Sequence, residues 1–317
     1  MHLITVPVFV SVSGMSHSRL LAGAVLLALA LTACSTKASS NPDPSGVIMV
    51  VAAENVWGSL AEQLGGGHVK VTSVINNPDA DPHDYEPTAA DGRAVADAAL
   101  AIVNGVGYDA WADKLIGANK SSNRTVLNVG ELVGVKAGGN PHRWYSPEDV
   151  RKVVDQITVD YKKIDPADAA FFDTQHDTVL NTNLKGYFAA IDAIRTRYSG
   201  TPVGASESIF ALLAPALGLK LLTPGSALNA VTEGTDLTAA DKATIDKQIK
   251  NKQIKVYVYN SQNATPDVQA QVDAAKKAGI PVATITETLT PAGGSFQDWQ
   301  VAQLNVLKQA LGEASGK

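Results

Sequence analysis

The sequence has one cysteine, no run of basic residues and none of the common hydrolase motifs, and each scarcity removes a class of protein. One cysteine cannot form an internal disulfide, so in an exported chain it needs another explanation. The formal net charge is −5 with lysine and arginine scattered, which leaves no basic stripe to neutralise nucleic-acid phosphates. HExxH, GxSxG and P-loop patterns are absent, which disfavours a metallohydrolase.

The apolar run near the N-terminus, Leu20–Leu31, is too short for a permanent membrane span, which needs ~20 helical residues. Arg19 is the only lysine or arginine before it, and this layout is typical of an export signal. The run ends in Leu-Thr-Ala-Cys, which resembles a bacterial lipoprotein lipobox, where the cysteine is lipidated and the chain is cut before it. We therefore predict a signal peptide over 1–33 and lipidation at Cys34. An incidental cysteine is the alternative, and Met15 is an alternative start.

The residues after Cys34 divide into a tether and two lobes. Residues 35–46 are small, polar and proline-containing, so they cannot bury enough apolar surface to fold. The remaining length and the 45% apolar content are sufficient for two compact cores. We predict a lipidated flexible tether over 34–46, an N-terminal lobe over 47–145, linker helices over 146–200 and a C-terminal lobe over 201–317.

Short β-branched runs alternate with helical patterns in both lobes, which predicts an α/β fold with mostly parallel sheets flanked by helices. The predicted strands are Val47–Ala52, Val69–Ile75, Leu100–Asn104, Thr125–Asn128, Thr201–Ala205, Leu219–Leu222, Ile254–Tyr259 and Val282–Thr286. The predicted helices within the lobes include Val56–Leu64, Ala89–Ala98, Asp109–Ile116 and Phe296–Leu311.

The linker contains two helix starts, because serine or aspartate precedes proline at Ser146-Pro147 and at Asp165-Pro166. From Pro166 to Tyr198 there is no further proline and a single glycine. This favours one long helix of about 33 residues, or ~50 Å, joining the lobes. One rigid helix should permit only limited domain motion.

Two histidines lie in loops that each follow a strand of the first lobe. His83 stands in DPHDYEP and His142 in NPHRW, and proline precedes each of them. Ligands of open α/β sheets bind outside the carboxyl ends of the strands, and proline fixes the backbone before the imidazole. His68 and His176 lack this setting and are predicted to be surface residues.

Two acids occupy equivalent places in the second lobe. Glu207 follows the strand that ends at Ala205, and Glu287 follows the strand that ends at Thr286. Taken alone each is ambiguous, because Glu207 could simply favour a helix N-terminus and Glu287 could be an exposed loop acid.

Three segments, DPHDYEPTAAD, NPHRWYSPEDV and ITETL, resemble the metal-binding substrate-binding lipoproteins of zinc and manganese ABC importers. The resemblance extends from about residue 47 to residue 311. It implies a metal bound between the lobes by four ligands: His83, His142, Glu207 and Glu287. It also implies an ABC permease and its ATPase as partners, on a chain held outside the cell by a lipid anchor. We expect a monomer that binds no nucleic acid.

The implied ligand set has two imidazoles and two carboxylates without a thiolate, and this suits Zn²⁺, Mn²⁺ or Fe²⁺. Each ligating histidine needs an acceptor for its second nitrogen, and Asp81, Asp84 and Glu86 are near His83 in sequence. Many relatives carry Asp where this chain has Glu287, so the denticity at that position stays open. A surface adhesion protein with a structural metal and a metallohydrolase remain alternatives; an adjacent ATPase and permease gene would favour transport.

Overall fold

The computed structural model describes residues 46–77 and 85–316 and contains two four-stranded sheets, both fully parallel. The first consists of β1 (Ile48–Glu54), β2 (Val69–Ile75), β3 (Leu100–Val103) and β4 (Thr125–Asn128), in the order β2-β1-β3-β4. The second consists of β5 (Pro202–Ala205), β6 (Lys220–Leu221), β7 (Val256–Asn260) and β8 (Val282–Ile285), in the order β6-β5-β7-β8. The predicted α/β fold with two sheets is confirmed.

The helices of the first lobe are α1 (Asn55–Gly65), α2 (Ala89–Asp97), α3 (Ala110–Ala118) and α4 (Val129–Leu132). The linker contains α5 (Pro147–Ile164), α6 (Ala169–Thr178) and α7 (Lys185–Tyr198). The second lobe has α8 (Leu213–Ala216), α9 (Gly225–Thr232), α10 (Ala239–Lys250), α11 (Pro266–Lys277) and α12 (Phe296–Ser315). Among the described residues, none of the helices is both long enough and apolar enough to cross a bilayer.

Both sheets have the same topology, and this fixes where a site can form. In each sheet the second strand in sequence pairs with one side of the first strand, and the third and fourth strands are added on its other side, so the order of the strands reverses. In open α/β sheets the crevice at such a reversal, outside the carboxyl ends of the strands, is where ligands bind. The reversals lie between β1 and β3 in the first lobe and between β5 and β7 in the second.

The linker differs from the prediction of one continuous α-helix over 166–198. A π-helical turn, Val179–Asn183, separates α6 from α7, and the backbone N–H of Leu184 donates to the carbonyl of Val179 at 2.9 Å. Val179 and Leu184 are both fully buried and are five residues apart, so only a turn with one extra residue keeps them on the same face. The helical path is otherwise maintained, because Val179 and Leu184 both keep right-handed helical angles.

One hydrophobic core extends from the first sheet through the linker helices into the second sheet. Polar contacts also join the lobes: Ser59 on α1 accepts from the backbone N–H of Phe296 at 3.0 Å, and Gln297 donates to Gln63 at 2.9 Å. Domains joined by a large apolar interface do not move freely against each other. The continuous core therefore favours the limited domain motion expected from the linker.

The segment that enters α2 is fixed by a reciprocal cap. The hydroxyl of Thr88 accepts from the backbone N–H of Asp91 at 3.3 Å, and the Asp91 carboxylate accepts from the backbone N–H of Thr88 at 2.7 Å and from the Tyr85 hydroxyl at 3.0 Å. This arrangement satisfies two N–H groups that the first turn of a helix leaves open. It anchors the described chain immediately after residues 78–84.

We expect Thr88→Ala to lower the free energy of unfolding by ~1 kcal/mol, the usual effect of losing an N-cap hydroxyl. Thr174→Ala is the matched control, since Thr174 is an exposed threonine inside α6 whose hydroxyl only donates to the carbonyl of Ala170. Alanine has the higher helix propensity there, so this change should be neutral or slightly stabilising. Urea denaturation of both variants measures the difference, and equal effects would contradict the capping role.

Candidate metal site

His142 is held in one orientation by the residue two positions before it. The side-chain oxygen of Asn140 lies 3.0 Å from the backbone nitrogen of His142 and 3.0 Å from its Nδ1. If Nδ1 carries the proton and donates to Asn140, Nε2 keeps the lone pair that a metal needs. Asn140 also donates to the carbonyl of Ser208 at 2.6 Å, which ties this loop to the second lobe.

The His142 ring is enclosed by aromatic side chains. It packs edge to face against Trp144 and Tyr108, with ring centroids 5.5 and 6.0 Å away. Asn104, which follows β3, donates to the carbonyl of Pro141 at 2.8 Å and so fixes the residue before the histidine. The imidazole is therefore positioned before any ligand arrives, which lowers the entropic cost of binding.

Glu207 follows β5, at the strand reversal of the second sheet, and reaches towards the histidine. Its Oε1 lies 3.7 Å from His142 Nε2, and its Oε2 accepts from Asn260 Nδ2 at 2.7 Å. At 3.7 Å the imidazole and the carboxylate are neighbours without a direct hydrogen bond. This spacing suits two groups that share a bound ion.

The environment of Glu207 disfavours its charged form. Burial, and after it the negative charge of Glu287, raise the pKa of Glu207 to about 8. Hydrogen bonds partly oppose this rise, and their donors are Asn260, Thr232 and Asn263. In the metal-free protein at neutral pH this carboxyl therefore holds a proton that an arriving cation has to displace.

Glu287 follows β8, and its carboxylate accepts hydrogen bonds from side chains of both lobes. Its Oε1 accepts from Asn260 Nδ2 at 2.7 Å, and its Oε2 accepts from the hydroxyl of Tyr108, in the first lobe, at 2.9 Å. Its backbone N–H donates to the side-chain oxygen of Gln262 at 2.5 Å. Burial, and after it the charges of Glu287 and Glu54, raise the pKa of Tyr108 well above its usual range, so Tyr108 acts as a donor.

These three side chains converge on one point between the sheets. His142, Glu207 and Glu287 are 0%, 1% and 8% exposed, and each offers one ligand atom within 4.8 Å of the others. Buried charges of one sign are stable only when they are neutralised by partners, protons or metal. The arrangement can therefore hold a divalent cation with nitrogen and oxygen donors.

The other predicted site residues lie outside the described part of the chain. His83 falls within residues 78–84 and Cys34 within residues 1–45, so both assignments stay predictions. The suggested acceptors Asp81 and Asp84 lie in the same segment as His83. Glu86 is described and is exposed.

Sequence reasoning missed three residues that organise the site: Asn140, Tyr108 and Asn260. Each is a polar residue whose side chain contacts a predicted ligand. The pattern Asn-Pro-His gave one usable signal, because an asparagine two residues before a backbone N–H commonly accepts from it. Nothing local distinguishes Tyr108, in the turn before α3, or Asn260, at the end of β7, from other polar residues in such places.

A second group of potential ligands lies away from the cleft. His68 Nδ1 is 2.8 Å from Asp168, and Asp165 completes a set within 4.8 Å. These side chains are partly exposed, and Asp165 already accepts from a backbone N–H in the adjoining turn. A direct contact between histidine and aspartate accounts for the close approach of His68 and Asp168, and His176 likewise lies 2.8 Å from Asp155.

Two further acids are buried beneath the first-lobe side of the cleft. Asp109 accepts from the backbone N–H groups of Asn104 and Gly105 at 2.7 and 2.8 Å, and burial raises its pKa to about 6. Burial, and after it the charge of Asp109, raise the pKa of Glu54 well above its usual range. The two backbone hydrogen bonds of Asp109 fix the turn that precedes Tyr108.

Comparison with known proteins places this geometry in a family. The family model described as zinc-uptake complex component A, periplasmic, matches residues 50–310, most of the chain. The chain belongs to this family. The matched range spans nearly all of both sheets.

Two curated relatives and one solved structure are similar to this chain. The manganese-binding lipoprotein MntA of Halalkalibacterium halodurans is 26% identical over 153 residues, which is 47% of this chain and half (50%) of that relative. The manganese-binding lipoprotein MntA of Bacillus subtilis is 24% identical over 295 residues, covering 88% of this chain and 90% of the relative. An Mn-bound periplasmic metal-binding protein from Candidatus Liberibacter asiaticus, an S38A mutant, aligns with a TM-score of 0.69 at 17% identity, over 83% of this chain and 99% of the other. At that identity the structural likeness shows the shared fold.

Proposed function

We propose that this chain is an extracytoplasmic metal-binding protein that captures a divalent transition-metal ion, Zn²⁺ or Mn²⁺, and delivers it to an ABC importer. The observation that carries the proposal is the convergence of His142, Glu207 and Glu287, all buried, from two lobes onto one point. His83, from the segment before α2, is proposed as the fourth ligand. The metal is cargo in this account and not a catalytic cofactor.

The donor set supports a transition metal but does not select one. Nitrogen and oxygen ligands without thiolate suit Zn²⁺, Mn²⁺ and Fe²⁺, and affinity generally rises from Mn²⁺ towards Cu²⁺. Zinc should therefore bind tightly in vitro whichever ion is imported. The relatives named for manganese and the family named for zinc are consistent with both.

Delivery requires that a permease and its ATPase distinguish the loaded from the empty protein. A cation bound by ligands of both lobes cross-links them and stabilises one arrangement relative to the other. Because one hydrophobic core joins the lobes, the structural difference between the loaded and the empty protein should be confined to the cleft. We further propose that lipidation of Cys34 holds a monomer at the outer face of the cell membrane.

The burial of the ligands supports transport more than hydrolysis. A metallohydrolase keeps one coordination position open to water and needs space for a substrate beside it. Here Tyr108 and Asn260 occupy the surroundings of both carboxylates. Such a site suits an ion that is carried whole.

The proposal is tested by metal accumulation in the native host grown with limited zinc and manganese. Deletion of the gene should lower the cellular content of the imported metal, and the wild-type gene should restore it. His142→Ala should fail to restore it. His68→Ala is the matched control, because His68 pairs with Asp168 outside the cleft, and it should restore uptake fully. Uptake that survives His142→Ala, or equal failure of both variants, would contradict the proposal.

A further inference from the structure

Asn260 is the one described residue that bonds to both carboxylates of the candidate site. It ends β7, is fully buried, and lies at the strand reversal of the second sheet. Its Nδ2 donates to Glu207 Oε2 and to Glu287 Oε1, both at 2.7 Å. Since an amide nitrogen has two hydrogens, both are directed at the carboxylate pair.

The orientation of this amide is fixed by the backbone around it. Asn260 Oδ1 accepts from the backbone N–H of Gln262 at 3.0 Å, so the oxygen cannot exchange places with the nitrogen without losing that bond. The backbone N–H of Asn260 donates to the Ser206 hydroxyl at 3.0 Å, next to Glu207. Asn260 is therefore held rigidly with its donor side towards the carboxylates.

The hydrogen bonds distinguish the two oxygens of Glu207 but not those of Glu287. Glu207 Oε2 accepts from Asn260, whereas its Oε1 lies 3.7 Å from His142 Nε2. Glu287 accepts from Asn260 through Oε1 and from Tyr108 through Oε2. Glu207 is thus biased to bind a cation through the single oxygen that faces His142.

We propose that Asn260 is a positioning residue that sets the metal preference of the cleft by keeping Glu207 monodentate. With Glu207 monodentate, His142, Glu207, Glu287 and the proposed ligand His83 stay close to the four-ligand set that Zn²⁺ prefers, whereas Mn²⁺ favours six ligands rich in oxygen. Without Asn260 the second oxygen of Glu207 becomes available, and Mn²⁺ gains more from it than Zn²⁺. This inference rests on the proposed function and specifies how the site distinguishes Zn²⁺ from Mn²⁺.

A counterpart in the first lobe supports a positioning role. Asn104 follows β3, the strand equivalent to β7 in the matching topology. Its amide donates to the carbonyl of Pro141 and accepts from Trp57, so it fixes the His142 loop in the way that Asn260 fixes the acids. Each lobe thus uses an asparagine at its strand reversal to orient the ligands.

The test compares zinc and manganese dissociation constants in wild type, Asn260→Ala and Asn260→Leu. Alanine removes the amide and most of its volume, whereas leucine keeps a similar size but has neither the donor hydrogens nor the acceptor for Gln262. We expect the preference for zinc over manganese to fall about tenfold in both variants, within the range typical for residues behind a ligand. Zinc X-ray absorption should show more than four nitrogen and oxygen neighbours in Asn260→Ala.

Asn128→Ala is the control, because Asn128 also ends a parallel strand, in the first sheet, and its side chain caps α4 by accepting from the backbone N–H of Glu131. The preference of the Asn128→Ala variant for zinc over manganese should match that of wild type. If both metals weaken by the same factor in the Asn260 variants, or if only the alanine variant shifts, Asn260 supports packing and the inference fails. If wild type binds neither metal, the proposed function fails before the inference is reached.

Discussion

Glu207→Gln should abolish tight metal binding and at the same time stabilise the metal-free protein at pH 8. Glutamine has the same shape, and its side-chain oxygen can still accept from Asn260. Glutamine cannot supply a negative charge to a cation. The loss of a residue that merely hydrogen-bonds to a metal ligand lowers metal affinity ~10- to 100-fold, and the loss of the ligand itself should lower it further. Titration calorimetry with zinc and manganese measures this loss.

The gain in stability follows from the direction of the pKa shift. The pKa of Glu207 is about 8 in the folded protein and ~4.3 in an unfolded chain, so the folded state binds this proton more tightly. The corresponding stabilisation is complete below pH ~4.3 and is lost as the pH rises to about 8. A tenfold change in proton affinity is worth ~1.4 kcal/mol, so glutamine should recover on the order of a few kcal/mol at pH 8.

Glu54→Gln is the matched control for both readouts. Glu54 is another buried glutamate at the carboxyl end of a strand, with a raised pKa, but it adjoins Asp109 and is not among the converging ligands. It should also stabilise the metal-free protein at pH 8 in urea unfolding, yet keep the wild-type metal affinity. Retained metal binding in Glu207→Gln would remove Glu207 from the site.

The strands could be predicted from the sequence because most of their residues are apolar and many are β-branched. In β1, for example, every residue from Val50 to Glu54 is buried, which is expected of a parallel strand covered on both faces. The π-helical turn could not be predicted from composition, since its cause is the five-residue spacing of Val179 and Leu184. That spacing becomes significant only when both residues are known to face the same core.

The candidate ligands were predicted from the resemblance of three segments to a family, and the sheet topology gives the physical reason why three of them meet. Glu207 and Glu287 were each ambiguous alone, but parallel strands bring their carboxyl ends to one edge, so residues that follow them meet. The residues that orient the ligands could not be identified in this way. Asn260 and Tyr108 act through contacts between segments distant in sequence, Tyr108 across the two lobes, and such pairings have no local periodicity.

Metal affinity should increase about tenfold for each pH unit between pH 6 and pH 8 and level off above that range, because the cation displaces the proton of Glu207. The levelling point follows from its pKa of about 8, raised by burial and by Glu287. Calorimetry in two buffers of different ionisation enthalpy should detect ~1 proton released at pH 6.5 and fewer at pH 8.5. Glu54→Gln should retain the same slope.

Stability should follow different trends in the empty and loaded proteins over this pH range. As the pH rises from 6 to 8, the metal-free protein loses the stabilisation that the Glu207 proton provides, so its melting temperature falls. With a fixed, saturating concentration of zinc the melting temperature should stay level instead, because the gain in zinc affinity offsets the lost contribution of the proton. An affinity that is flat from pH 6 to pH 8, or parallel melting curves with and without zinc, would contradict competition between proton and cation. If the trends diverge, the proton and the metal are alternative means of neutralising one buried pair of acids, and mild acidity would favour release of the cargo.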